Sequence, residues 1–238
     1  MAHRVSSLAL AFFLATTLHA QLPKLPGLPT GSSSSSSLSE AQIGSGIKDA
    51  LSVGTQKAVT SVAHPGGYLE NEAIKILLPK NLQPVDRALR AAGQGPKVDS
   101  FVASMNHAAE EAAPEAGKIF GAAVRQMTID DAHKLLTGGD TSITAYFKDK
   151  TSADLATAFR PHVETAMQKN NVTQQYQALA GQMPKLPFMK SESMDINAYV
   201  VNKALEGLFY ELAQQEKQIR TNPAARTTTL LKQVFGGH

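Results

Sequence analysis

Histidine and carboxylate side chains cluster at two places in the middle of the chain and offer ligands for a divalent metal ion. His107 and Glu111 are four residues apart, so they share one face of a helix. Asp130 and His133 have the three-residue spacing of the carboxylate–histidine pairs in di-iron bundles. Such sites use two of these pairs on facing helices, and the second pair is missing here. The full set comprises His107, Glu110, Glu111, Asp130, Asp131 and His133.

The same residues also have an ordinary structural interpretation. Glu110 and Glu111 suit a solvated helix face, and Asp130 and Asp131 suit a helix N-terminus, where carboxylates interact favourably with the helix dipole. We therefore predict neither a metal nor a cofactor. An enzyme, hydrolytic or metal-dependent, remains the alternative hypothesis, and it would be built on His107, Glu110, Asp131 and His133.

Three methionines form a second group of possible ligands. Met183, Met189 and Met194 lie in or beside a proline-containing loop, Gly181–Ser193, and thioether sulfur is a soft ligand suited to Cu(I). No histidine or cysteine joins them, and methionine is also an ordinary filler of hydrophobic cores. The loop therefore supports no copper assignment.

Several polar side chains fall on otherwise apolar helices, where they would complete a hydrogen-bond network or line a pocket. The network is the favoured interpretation, because buried polar groups must be paired whatever the function. No G-x-S-x-G, Walker A, H-E-x-x-H or EF-hand motif is present to suggest catalysis. The candidates are Asn106, His107, Glu110, Arg125, Asp131, His133, Asp140, Tyr146, Arg220 and Arg226.

The composition of the 238 residues, 42% hydrophobic and 18% charged, is typical of a folded globular protein. A net charge of +3 is too small to predict a nucleic-acid partner. The chain has no cysteine, which excludes disulfides, a thiol nucleophile and a thiolate metal site. Basic residues near the C-terminus alternate with acidic ones and predict a mixed solvated surface: Lys217, Arg220, Arg226 and Lys232 with Glu211 and Glu216.

The N-terminal residues predict export. Met1–Ala20 has a positive start at Arg4, an apolar run Leu8–Leu18 and a small residue at a cleavage position, as in a signal peptide that directs a protein to the periplasm. That run is too short to span a bilayer, and no later run is long enough. Gln21–Ser37, rich in proline and serine, predicts a disordered linker before a helical domain from Leu38 to His238.

The rest of the chain has helical periodicity, and we predict one compact all-α domain of about 8–10 helices. Thr128 and Asp195 are expected helix caps, and Ile74–Pro79 is strand-like but ends at proline, so we interpret it as an extended connector. Gly93-Gln94-Gly95 is interpreted as a turn. The predicted helices are Leu38–Ala63, Asp99–Ala112, one from Pro114, Thr128–Gly138, Asp140–Phe147, Ser152–Lys169 with an interruption near Pro161, Asp195–Arg220 and Pro223–Phe235.

Large apolar side chains at helical spacing predict the core. The long helix Asp195–Arg220 is expected at its centre, and alanines such as Ala108, Ala109, Ala112 and Ala113 allow helices to pack closely. The predicted core residues are Phe101, Met105, Phe120, Met127, Leu135, Tyr146, Phe147, Phe159, Tyr199, Leu208, Phe209, Leu212, Leu231 and Phe235.

Several short motifs resemble one known family. They include Ser104–Glu110, Tyr146-Phe147, Ala204–Phe209, Ile219–Thr228 and Val234-Phe235-Gly236. The chain resembles, from about Leu38 to Gly236, the exported bacterial proteins grouped as domain of unknown function 4197. The resemblance implies a bacterial, exported, helical protein and supplies no activity and no functional residues. Leu77 and His107 depart from the family pattern, in which we expect proline and arginine.

These observations favour a non-catalytic protein of the cell envelope that binds a protein partner or a small apolar ligand. The chain has no catalytic motif, no cofactor fingerprint and little net charge. Its many small residues favour a tightly packed scaffold over a large cavity. An open apolar groove between helices would support the binding hypothesis.

Overall fold

The computed structural model describes residues 39–169 and 195–222, together with Gln174, Ala224 and Lys232. These residues form seven α-helices, a 3-10 turn and no strand, which confirms the all-α prediction. The described residues between Leu38 and His238 belong to one compact unit. The helices are α1 (Glu40–Ala63), α2 (Gln83–Ala91), α3 (Gly95–Ala112), α4 (Glu115–Gln126), α5 (Ile129–Thr137), α6 (Ser142–Lys169) and α7 (Ile196–Thr221), with the 3-10 turn at Lys80–Leu82.

Some of the predictions fall outside the described residues. These are the signal peptide Met1–Ala20, the linker Gln21–Ser37, the loop Gly181–Ser193 with Met183, Met189 and Met194, the helix Pro223–Phe235, Arg226, Leu231 and Phe235. Within the described residues, no helix has the length and apolar character needed to cross a membrane.

Local capping explains where three of the helices begin. Ser39 Oγ accepts from the amide of Gln42 at 3.3 Å, and the Gln42 side chain accepts from the Ser39 amide at 2.9 Å. Thr128 and Asp131 form the same reciprocal pair at the start of α5, and Asp195 accepts from an amide in the first turn of α7. Each cap satisfies backbone donors that the first helical turn leaves unpaired, so the predictions at Thr128 and Asp195 are confirmed.

The predicted break in the middle of the chain is wrong. Helix α6 runs without interruption from Ser142 to Lys169, through residues 148–151 and past Pro161. Proline inside a helix removes one backbone hydrogen bond and costs about 3 kcal/mol. The helix persists because its apolar stripe continues on both sides of the proline, with Leu155, Phe159 and Val163 all buried. Tertiary packing therefore outweighs the local cost.

Helix α2 is not predicted from the sequence, and α3 begins earlier than predicted. Only Val85 and Leu89 of the nine α2 residues are buried, which is too short a pattern to identify a helix. Gly93, with φ +75°, makes the predicted turn after α2. Helix α3 then begins at Gly95 rather than at Asp99, because Pro96 is well suited to the first helical turn.

The core lies around α6 and α7, which pack against each other. Helix α7 also contacts α1 and α3, as expected for a central helix, and α6 contacts α3 and α4. The Phe120 ring lies edge-on to Phe147, with ring centroids 5.2 Å apart. Ten of the predicted core residues are buried: Phe101, Met105, Phe120, Met127, Leu135, Phe147, Phe159, Leu208, Phe209 and Leu212. Tyr146 and Tyr199 are only partly buried and pack at its edge.

Candidate functional site

Asn106 on α3 holds the segment Ile74–Pro79, which forms no strand: Ile74 lies in a turn, and residues 75–79 have no regular secondary structure. Its side-chain carbonyl accepts from the amide of Ile76 at 2.8 Å, and its side-chain amide donates to the Ile76 carbonyl at 2.9 Å. Asn106 is fully buried and so satisfies backbone groups that would otherwise be unpaired inside the protein. This candidate is therefore a structural hydrogen-bonding residue.

Glu110, one turn further along α3, holds the start of the same connection. Its Oε1 accepts from the amides of Tyr68 and Leu69 at 3.0 and 3.1 Å, and its Oε2 lies 2.9 Å from Nδ1 of His107. Glu110 is buried, whereas the His107 side chain is 46% exposed. Both oxygens of the carboxylate are thus occupied by the protein itself.

Tyr68 ties this connection to α7. Its hydroxyl donates to the carbonyl of Ala204 at 2.7 Å, and its ring is fully buried. Burial, together with the nearby carboxylates of Glu211 and Glu110, raises the pKa of Tyr68 far above its usual value. A Cβ on Gly207 would lie 2.6 Å from Tyr68 Cε1, so glycine is required where the ring meets the helix.

Glu216 and Arg220 form a second network where α5, α6 and α7 meet. Glu216 accepts from the amides of Ile143 and Thr144 at 3.0 and 2.9 Å, in the first turn of α6. Arg220 bonds to Glu216 at 3.1 Å and donates to the carbonyls of Leu135 and Leu136 in the last turn of α5. The carboxylate therefore lies at a positive helix end and the guanidinium at a negative one.

The proposed metal ligands do not come together. Within residues 39–169 and 195–222, no group of three or more histidine, aspartate or glutamate side chains has a metal-binding arrangement. Asp131 accepts from Thr128 instead, and these hydrogen bonds lower the pKa of its carboxyl. Nε2 of His133 is buried without a partner among the described residues. Glu111, Arg125, Asp130 and Asp140 are exposed.

Two of the candidate residues, Asp131 and Tyr146, line an open groove of about 500 Å³ between α4 and α6. Burial, with a contribution from the Asp131 carboxylate, raises the pKa of the Tyr146 hydroxyl. Lys118 and Lys150 balance the carboxylates of Asp131 and Asp154 in this lining, so the groove has no charge preference. It contains no cluster of groups that corresponds to a known catalytic arrangement.

A second groove lies beside the segment that Asn106 holds, and we call it the tyrosine groove. It has a volume of about 370 Å³ and lies between residues 73–77 and α7. Leu77 is 61% exposed, and the Tyr199 hydroxyl donates to its carbonyl at 2.8 Å. Burial raises the pKa of that hydroxyl. The lining includes Ile74, Lys75, Leu77, Tyr199, Lys203, Glu206 and Tyr210.

The residues of the tyrosine groove were not among the sequence-based candidates. The sequence predicts Tyr199 in the core, marks Leu77 only as a departure from the family pattern and gives no signal for Tyr210. Their proximity depends on the docking of the connector against α7, more than 120 residues away in the chain. A leucine inside the strand-like run Ile74–Pro79, at a position where we expect proline in the family, is the only local signal for this site.

Comparisons with known proteins support one assignment. No curated protein and no solved structure matches the chain. Residues 37–236 match the model of a family described as a protein of unknown function (DUF4197). The match extends over most of the chain. The chain therefore belongs to the DUF4197 family.

Proposed function

We propose that this protein is a non-catalytic binding protein of the bacterial cell envelope that holds an extended segment of a protein partner in the tyrosine groove. One observation carries the proposal. Leu77, Ile129 and Tyr210 are the large hydrophobic side chains that stay exposed among the described residues, and two of these three line this groove. Exposed apolar side chains that lie together indicate an interaction surface, whereas scattered ones are ordinary.

The backbone beneath Leu77 supports this proposal, because it is already fixed. Asn106 bonds to both backbone groups of Ile76, and Tyr199 bonds to the carbonyl of Leu77. A preorganised surface loses little conformational entropy when a partner binds. An exposed leucine in such a setting is a rigid apolar contact and not part of an adaptable loop.

The shape of the groove favours a protein segment over a small apolar ligand. A small ligand is held by a pocket that buries 70–90% of its surface. The tyrosine groove is open to solvent, and Tyr210 on its wall is 43% exposed. An extended peptide needs only a groove for its alternate side chains, and tyrosines give large contact area with few rotatable bonds.

Selection of random dodecapeptides displayed on phage tests this function. The purified protein, its Leu77→Asp variant and its Ile129→Asp variant are each immobilised and used for selection. Ile129 is a matched control, because it is 44% exposed, lies outside the groove and occupies a helix N-terminus where aspartate is tolerated. We expect peptides that bind the wild type and Ile129→Asp but are lost on Leu77→Asp. Equal recovery on all three proteins would reject the function.

Export is part of the same proposal, and it rests on the signal-peptide pattern of Met1–Ala20. Fractionation of the producing bacterium, followed by N-terminal sequencing, is the direct test. We expect the protein in the periplasmic fraction with Gln21 as its first residue. Full-length protein confined to the cytoplasm would contradict export without affecting the peptide-binding hypothesis.

A further inference from the structure

A third groove lies on the other side of Leu77, and we call it the arginine groove. Its volume is about 260 Å³, and its apolar lining comprises Leu77, Leu78, Val98 and Val102. Leu77 lines both this groove and the tyrosine groove, so the exposed leucine forms the ridge between them. A segment that packs on Leu77 in one groove therefore lies next to the other.

The charged side chains of the arginine groove differ in whether they are already paired. Nε of Arg90 lies 2.6 Å from Asp86, and its Nη2 lies 2.7 Å from Asp99. Hydrogen bonds with both carboxylates raise the pKa of Arg90. Arg87 is exposed and makes no hydrogen bond or ion pair with any residue in the described ranges 39–169 and 195–222.

The cations of the tyrosine groove are also paired. Lys203 bonds to Glu206, and Lys75 lies 3.7 Å from Glu72. Across the two linings there are four cationic side chains, Lys75, Arg87, Arg90 and Lys203, and two carboxylates, Asp86 and Glu206. Asp99 and Glu72, which lie just outside the linings, pair with two of these cations, so the surface on either side of Leu77 is balanced in charge. Arg87 is the lining cation without a described partner.

We infer that the partner segment carries an aspartate or glutamate next to its apolar anchor, and that Arg87 binds this carboxylate. The inference rests on the proposed function and specifies its partner. A planar guanidinium donates two parallel hydrogen bonds to a carboxylate, which gives geometric selectivity as well as attraction. The positive charge of Arg87 also disfavours basic segments, which this side chain would repel.

The expected effect is moderate, because Arg87 is exposed to solvent. An exposed ion pair changes binding by up to about fivefold. The preference for a carboxylate should weaken as salt is added, since the screening length falls from about 10 Å at 0.1 M salt to about 3 Å at 1 M. The apolar contact with Leu77 has no such salt dependence.

The test has two stages. Peptides recovered on the wild type are first sequenced, and we expect aspartate or glutamate enriched beside a large apolar residue. One of them is then synthesised with a fluorescein label in two forms, which differ by replacement of that acidic residue with its amide. Binding of both forms is measured by fluorescence anisotropy on the wild type, Arg87→Ala and the control Arg125→Ala, which removes an exposed arginine from α4.

We expect the wild type and Arg125→Ala to prefer the acidic form by about fivefold, and Arg87→Ala to bind both forms equally. If the recovered peptides show no acidic enrichment, or if Arg87→Ala keeps the preference, this inference is wrong although Leu77-dependent binding stands. If no peptide depends on Leu77, the proposed function fails and the inference fails with it. These two results are therefore distinguishable.

Discussion

The side chain of Asn106 pairs with both backbone groups of Ile76, at 2.8 and 2.9 Å, as a neighbouring strand would. One residue later the chain exposes Leu77, whose carbonyl is held from the other side by Tyr199. A segment without regular secondary structure is thus held in place by one side chain from α3 and one from α7. This arrangement links the buried polar network to the surface that we propose binds a partner.

Replacing Asn106 with alanine should destabilise the fold by about 2–4 kcal/mol. Both backbone groups of buried Ile76 would lose their partners, and each unpaired buried group costs on the order of 1–3 kcal/mol. Urea denaturation measures the loss, with Asn202→Ala on the exposed face of α7 as the control. The control should change stability by no more than about 0.5 kcal/mol. Similar values for the two variants would contradict this role for Asn106.

Breaking the ion pair of Glu216 and Arg220 should lower the free energy of unfolding more than breaking a surface ion pair. Removing the Glu216 side chain takes the acceptor from two buried amides of α6 and the carboxylate from the Arg220 guanidinium, and we expect a loss of about 3–5 kcal/mol. Glu216→Gln, which keeps an acceptor, should be milder and remains measurable if the alanine variant does not fold. Urea denaturation gives both values.

A double-mutant cycle separates this pair from the general effect of charge. We expect a coupling energy of about 1–3 kcal/mol between Glu216 and Arg220. The same cycle for Glu115 and Lys118, whose lysine is 80% exposed, should give only about 0–0.5 kcal/mol. Equal coupling in the two cycles would mean that burial does not strengthen the Glu216 pair.

The helical class and several helix ends could be predicted from sequence because their signals are local. A cap such as Thr128 with Asp131 acts within three residues, and Asp195 caps α7 in the same local way. The continuity of α6 across Pro161 could not be predicted, because packing against other helices decides it. Local rules give the cost of the proline but not the burial that offsets it.

The polar network was predictable in kind and not in detail. Asn106, Glu110 and Arg220 were identified as polar groups on apolar helices, and each one is paired as a structural network requires. Their partners lie up to 85 residues away, so sequence spacing cannot identify them. The tyrosine groove is non-local in the same way, since it exists only when residues 73–77 dock on α7.

The cap at the start of α5 should weaken in acid. Thr128→Ala removes the side-chain cap and should cost about 1 kcal/mol at neutral pH. Hydrogen bonds from Thr128 lower the pKa of the Asp131 carboxyl in the folded state. Their stabilising effect is therefore present at a pH above 3.8, the usual pKa of aspartate, and is lost as the pH falls below that pKa. Denaturation at pH 6 and pH 3 should therefore show a smaller effect of the substitution in acid.

A control variant shows whether this acid effect belongs to the cap. Thr157 is an exposed threonine inside α6, where its hydroxyl bonds only to a carbonyl of its own helix. Thr157→Ala should be neutral or stabilise by up to about 0.5 kcal/mol, because alanine has the higher helix propensity. Its effect should be the same at both pH values. A loss for Thr128→Ala that is equally large in acid would contradict the role of Asp131.

Tyr68 should make the protein sensitive to alkali. Its raised pKa keeps the Tyr68 hydroxyl protonated in the folded state. The hydroxyl therefore contributes fully to stability below pH 10, the pKa of tyrosine in the unfolded chain, and this contribution is lost as the pH rises above that pKa. At pH 8, Tyr68→Phe should lose about 1 kcal/mol with the hydrogen bond to Ala204. Above pH 10 this difference should shrink by up to about 1.4 kcal/mol per pH unit. A difference that stays constant from pH 8 to pH 11 would contradict this account.

Gly207 should be intolerant of any side chain, because it allows α7 to approach both Tyr68 and Ile74. An added Cβ would lie 2.6 Å from the Tyr68 ring and 3.1 Å from Ile74 Cβ, and such overpacking costs about 1–3 kcal/mol. Gly139→Ala is the matched control, since a Cβ there meets nothing within 4 Å. Thermal denaturation should show a lower Tm for Gly207→Ala alone. Because Ile74 and Gly207 both line the tyrosine groove, that variant should also bind the selected peptides more weakly, whereas Gly139→Ala should bind them as the wild type does.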